Sequence, residues 1–113
     1  MLPPVSDVKK SALNVRNPMK SWSSGAVVLL GDACHPMMPF MAQGAGMAIE
    51  DAVVLARALS ERPVTQAVAA YEAARLDRTA KVQIGSRGNE WLRTDGNVDW
   101  LYGYDAWTAP LGA

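Results

Sequence analysis

Cysteine, histidine and phenylalanine each occur once in this chain, as Cys34, His35 and Phe40. That scarcity removes several kinds of chemistry at the start. A lone cysteine cannot close an intrachain disulfide, which fits a reducing compartment and makes the cytoplasm the expected location. A single histidine, with no second His or Cys at ligand spacing, predicts no metal site. Charge of one sign is also missing: eleven basic and eleven acidic side chains cancel to a formal net charge of zero. Neither nucleic acid nor a membrane surface is therefore an expected partner. No apolar run approaches the roughly 20 residues that cross a bilayer, and no basic-then-apolar leader opens the chain. A complete Gly-x-Gly-x-x-Gly phosphate loop is absent too.

What is present is apolar and sharply punctuated. Half of the 113 residues are hydrophobic, enough for a modest core in one unit spanning 1–113. Pro3, Pro4 and Pro18 exclude long helices before Ser24, although Ala12 to Val15 suits a short strand. Ser23-Ser24-Gly25 reads as a turn, and Ala26 to Leu30 as the clearest strand. Its continuous apolar character predicts cover on both faces, as in an α/β sheet. Further on, Ala45 to Leu59 carries Ala48, Ile49, Ala52, Val53, Leu55, Ala56 and Leu59 at helical spacing, a broad apolar face expected to be buried. Glu50 and Asp51 fall in its first two turns, where the helix dipole favours carboxylates. Past Pro63 a second helical pattern places Val64, Ala67, Val68 and Tyr71 on one side. It continues through Arg75, Arg78 and Val82 toward Trp91, with a break expected near Leu76. Asp95-Gly96-Asn97 marks a turn, and the aromatic tail from Trp100 to Trp107 is irregular and expected to dock.

Chemistry concentrates between Gly31 and Asp51. An aspartate just past a strand end, as Asp32 is, can accept hydrogen bonds from vicinal hydroxyls; it can equally cap its own turn. Gly44-Ala45-Gly46 at a helix start lets a ligand approach unpaired backbone N–H groups, or lets a neighbouring element pack closely. His35 reads as structural rather than as a proton carrier, and Cys34 as a small buried hydrophobe rather than a nucleophile. Met37, Met38, Met41 and Met47 suit either a pocket for a flat apolar molecule or core filling. Pro36 and Pro39 fix the loop and present their carbonyls as acceptors.

Taken together, Val28-Leu29-Leu30-Gly31-Asp32-Ala33, His35-Pro36, Pro39, Gly44-Ala45-Gly46 and Ile49-Glu50-Asp51-Ala52 resemble the second cofactor-binding motif of the single-component FAD-dependent aromatic-ring monooxygenases. That class includes salicylate hydroxylase and 6-hydroxynicotinate 3-monooxygenase. Ala70-Tyr71-Glu72 with Arg75 and Arg78, Trp91-Leu92-Arg93, and Asp99-Trp100-Leu101-Tyr102-Gly103-Tyr104-Asp105 extend the resemblance over most of the chain beyond about residue 15. It implies an α/β FAD/NAD(P)-binding fold by family, of which this chain is the C-terminal portion: mostly α-helical, with one or two short strands, residues 26–59 forming the FAD motif and 60–113 a helical and aromatic segment. It implies FAD as cofactor, NAD(P)H as reductant and a small aromatic acid as the substrate hydroxylated with O2. Asp32 then binds the ribityl chain; the N–H groups of Ala45, Gly46 and Met47, opened by Gly44, face the pyrimidine edge of the flavin; and Pro39 lines the site. Phe40 departs from relatives that carry histidine there, which makes the pocket more apolar. Lacking the family's first nucleotide motif, the chain is expected to be inactive alone. The alternative is a non-enzymatic helical interaction module, with self-association through exposed apolar helix faces.

Overall fold

A computed structural model describes residues 3–4, 6–39, 42–87 and 99–112. The chain enters as an extended arm and makes a small antiparallel hairpin of β1 (Ser23–Ser24) and β2 (Val27–Val28), in register Ser23 opposite Val28 and Ser24 opposite Val27. Gly25 opens the two-residue loop with φ +61°, the mirror-image turn geometry that matches strand twist and that glycine reaches without strain. A single 3-10 turn at Gly31–Ala33 follows, then α1 (Gly44–Glu61), α2 (Val64–Gly85) and the one-turn α3 (Asp99–Tyr102). The architecture is an antiparallel helix pair with the hairpin and turn packed at one side.

The strand falls short of expectation. Of Ala26–Leu30 only Val27 and Val28 pair, and Val27 and Leu30 are 69% and 37% exposed instead of covered on both faces. The cause is a lack of neighbours: among the described residues only β1 lies beside it. Ala12 to Val15 is exposed and makes no strand.

Helix α1 is about as long as the pattern promises, but it buries a different face. Its buried residues are Met47, Asp51, Val54 and Ala58, at spacings of four, three and four. Ile49 and Leu59 remain 66% and 45% exposed, and Ala52 and Ala56 are exposed too. One partner helix covers only one stripe, and that stripe is chosen by the carboxylate of Asp51, which has a cation waiting on α2. The expected break near Leu76 does not occur, since no proline or glycine interrupts Val64 to Ile84. The expected helix near Trp91 and the turn at Asp95-Gly96-Asn97 lie outside the described residues.

Trp22, Cys34, Val54, Ala58, Ala67, Tyr71 and Ala106 form the main core, and Met47, Val82 and Leu101 a second cluster. Trp22 lies between His35 and Tyr71, ring centroids 5.7 and 5.8 Å away. Glu72 on α2 ties down β1 by accepting from Trp22 N–H at 3.1 Å and from the Ser23 hydroxyl. The tail docks through Leu101, Ala106 and its backbone, while Trp100, Tyr102 and Trp107 stay 37%, 61% and 72% exposed and α3 replaces the irregular start expected there. Arg57 donates to the carbonyls of Ala106 and Ala109 at 2.6 and 3.0 Å, and Gly112 N–H donates to Ala70 O on α2 at 3.1 Å. Among the described residues no helix is long and apolar enough to cross a membrane.

Candidate functional site

Gly31 turns the chain out of its extended path with φ +67°. A side chain there would also stand 3.3 Å from Ala48 Cβ, so glycine is what lets the turn lie directly against α1. Asp32, next in the turn, is exposed. A cleft of about 320 Å³ runs beside it, lined by Asn14, Val15, Arg16, Asp32, Ala33 and Pro36. Arg16 donates to the carbonyl of Ala33 and so fixes the far wall of that cleft to the turn.

The start of α1 stands next to Asp32. A Cβ added to Gly44 would come 3.9 Å from Asp32 Oδ1 and 3.7 Å from Met37 Cγ, so the space between carboxylate and helix exists because residue 44 has no side chain. Gln43, at the N-cap, makes no side-chain capping bond. The first helical bond runs from Met47 N–H to Gln43 O at 2.8 Å. The N–H groups of Gly44, Ala45 and Gly46 are therefore left without intrahelical acceptors, at the positive end of an 18-residue helix.

Of the residues singled out from sequence, Asp32, Gly44, Ala45 and Gly46 come together here. Met47 does not join them as a donor: its N–H is engaged in the helix and its side chain is wholly buried in the second core cluster, with Met37 packed against it. Both methionines thus serve as core. Pro39 is exposed, and its carbonyl accepts from Ala42 N–H at 2.9 Å, so one of its lone pairs already closes a turn. Ala42 holds that turn at φ +52°, in the left-handed region that an alanine rarely takes. Phe40 and Met41 lie outside the described residues.

Behind the turn is a buried network that sequence reading missed. Asp51, with no exposed surface, accepts from Gly31 N–H at 3.1 Å, His35 Nε2 at 2.5 Å and Arg75 Nε at 2.6 Å. A carboxylate beside a guanidinium can only accept, so His35 turns a protonated Nε2 toward it. His35 Nδ1 is buried and has no hydrogen-bond partner among the described residues. Arg75 also donates to Glu50 Oε2 at 2.8 Å and to Met47 O at 3.2 Å. Burial works against its charge, but Asp51 and Glu50 outweigh that and hold its pKa above the ordinary guanidinium value. Glu50 in turn takes two bonds from Arg78, both at 2.8 Å, and Arg78 lies over the ring of Tyr104 and donates to the carbonyls of Trp100 and Leu101. The sequence signal was available: two carboxylates on the second turn of one helix and two arginines three apart on the next.

Cys34, His35 and Asp51 offer ligand atoms all within 4.8 Å of one another, a grouping that chain spacing did not announce. Its chemistry is that of a hydrogen-bonded knot. Burial, with the Asp51 charge nearby, pushes the Cys34 thiol up to about 12, and the thiol donates to Gly31 O at 3.2 Å. Both Asp51 oxygens already accept hydrogen bonds, Oδ2 from Gly31 and His35 and Oδ1 from Arg75.

The chain has known relatives. Over 108 residues, 93% of its length, the chain is 50% identical to a 6-hydroxynicotinate 3-monooxygenase of Bordetella bronchiseptica and 52% identical to one of Pseudomonas fluorescens. It is 54% identical over 80 residues, 70% of its length, to 3-hydroxybenzoate 6-hydroxylase 1 of Aquipseudomonas alcaligenes. It spans 28% of the length of the first two and 20% of the third. The crystal structure of FqzB superposes with a TM-score of 0.73 at 35% identity, over 85% of this chain and 27% of that one. A family model described as the FAD binding domain matches residues 2–84, a stretch that includes the turn, the glycine-opened helix start and nearly all of the helix that braces them. The chain belongs to the FAD binding domain family.

Proposed function

We propose that this chain forms one wall of the FAD site of a flavin-dependent aromatic hydroxylase, with 1–113 acting as a single unit in which 26–59 carries the cofactor contacts and 60–113 braces them. The observation that carries the reading is the exposed Asp32 carboxylate standing beside an uncapped helix start, across space that Gly44 leaves open. In this reading Asp32 accepts from a ribityl hydroxyl. The N–H groups of Ala45 and Gly46 meet the electron-rich pyrimidine edge of the ring, where the helix dipole favours negative charge. Gly44 allows that approach, Pro39 lines the rim and Met47 backs the helix start from the core. When bound, FAD supplies the chemistry by which NAD(P)H and dioxygen hydroxylate an aromatic ring. The names of the similar proteins, a 6-hydroxynicotinate and a 3-hydroxybenzoate enzyme, favour a small aromatic acid as substrate. A free cysteine kept as buried thiol suits the cytoplasm.

Titrating FAD into the purified chain, with quenching of flavin fluorescence as readout, tests the reading. Weak saturable binding, well below the affinity of a full-length relative because the chain supplies one wall of the site, is expected, and Asp32→Ala should weaken it about tenfold or more, since a hydrogen bond to a charged group contributes roughly 1.5–3 kcal/mol. Gly44→Val should weaken it further by filling the gap. Binding indifferent to both substitutions, or none that saturates, overturns the proposal.

A further inference from the structure

Asp32 and the α1 start can cooperate only if the turn and the helix keep one spacing. The bonds of Asp51 bear directly on that. Its Oδ2 holds Gly31, one residue before Asp32, and His35, three residues after it. Asp51 itself sits on α1 seven residues past Gly44, two turns along the helix that presents the N–H groups. Arg75 fixes the other oxygen, Oδ1, and with it the rotation of the carboxylate.

We infer that Asp51 is a positioning residue, fixing the Asp32-bearing turn at a set distance from the α1 N-terminus and so determining recognition of the ribityl chain. The inference rests on the cofactor reading for its ligand, but its geometry stands independently of it. All three partners of Asp51 are intramolecular, and the two that belong to the turn flank the exposed carboxylate. The ring-facing N–H groups need no such tether, because they belong to α1 itself. Loss of the Asp51 bonds should therefore weaken contacts to the flavin side chain and spare contacts to the ring.

The test uses two flavins that share a ring. Riboflavin carries the ribityl chain; lumiflavin has a methyl group in its place. Asp51→Asn should lower riboflavin affinity at least tenfold while changing lumiflavin affinity less than twofold. The D32N/D51N double variant should be no weaker than the poorer single one. Equal loss for both flavins marks a merely structural role and overturns the inference, as does no loss for either. His35→Phe, which keeps a ring against Trp22 and removes one tether, decides the matter by the same split if Asp51→Asn does not fold. Amide exchange supplies a ligand-free measure: in Asp51→Asn the Gly31 amide should gain at least tenfold more in exchange rate than the central α2 amides, whose own change reports the stability lost with the buried Arg75 pair. If the wild-type chain binds neither flavin, the cofactor reading fails and this exchange alone judges the tether; a gain at Gly31 no larger than that of the α2 amides overturns it.

Discussion

Gly31 carries more constraint than any other single residue in the turn. Its φ of +67° costs an L-residue about 1–2 kcal/mol, and a Cβ would press on Ala48 at 3.3 Å. Gly31→Ala should therefore lower stability by about 1–2 kcal/mol or slightly more in urea unfolding, and a variant as stable as the parent would show that the turn relaxes off α1. Cys34 and Tyr71 make a second prediction at this scale. Both are buried in the main core, and burial with the nearby Asp51 charge raises both pKa values, Cys34 from 9.0 to about 12 and Tyr71 upward from 10.0. An unfolded chain gives up these protons at lower pH than the folded one. Their contribution is thus fully present below about pH 9 and is lost as pH rises from there toward 12. The urea midpoint should fall steadily between pH 9 and pH 11, and Cys34 should resist alkylation at pH 8 until the chain is unfolded. Rapid alkylation of the native protein would contradict the burial.

Between elements, α1 and α2 are joined as much by charge as by apolar contact. Asp51 and Arg75 form a fully buried pair at 2.6 Å, and Glu50 links both arginines at the edge. Removing one partner of a buried pair strands the other, so Arg75→Met should cost about 3–5 kcal/mol, measured by chemical unfolding. Glu50→Gln, at a side chain 18% exposed, should cost only about 1 kcal/mol. Similar losses for the two variants would deny the distinction between core and rim. This pair also explains what the sequence showed and what it hid. Helical spacing located α1 to within two residues and the start of α2, because periodicity is a local property. It also carried α2 on toward Trp91 with a break at Leu76, whereas the helix runs unbroken and ends at Gly85. It misplaced the buried face of α1, because hydrophobicity alone points to Ile49 and Leu59 while the real stripe runs through Asp51. Asp32 and Gly44 were legible as ligand-type residues from the strand-turn-helix order. Their nearness was not, since it depends on a tether between residues 31, 51 and 75 that only the folded chain assembles. The apolar run at Ala26–Leu30 misled for a related reason: it signals burial by neighbouring strands, and this chain pairs it only with β1.

At the scale of the whole molecule, apolar surface is left open. The Cα radius of gyration is 16.5 Å, against roughly 13 Å for a compact domain of this length, and the extents of 54 × 36 × 28 Å reflect an extended arm before β1. Val27 on the hairpin and Ile49 on α1 are each about two-thirds exposed, and Val8 and Leu13 in the arm are also bare. An apolar edge strand with free backbone groups is a template for further pairing, and uncovered helix faces lower their free energy by meeting other apolar surface. Self-association should follow, with the weight-average mass in light scattering rising with concentration. Two substitutions separate its sources. Val27→Lys places a charge on the strand edge and should suppress association that proceeds by sheet extension; Ile49→Lys should suppress association through the helix face. Neither touches the Asp51 network, so melting temperatures should stay close to the parent's, and any loss of association can be assigned to the surface. A chain that stays monomeric at every concentration would refute the prediction and show that these apolar residues are too scattered to drive association.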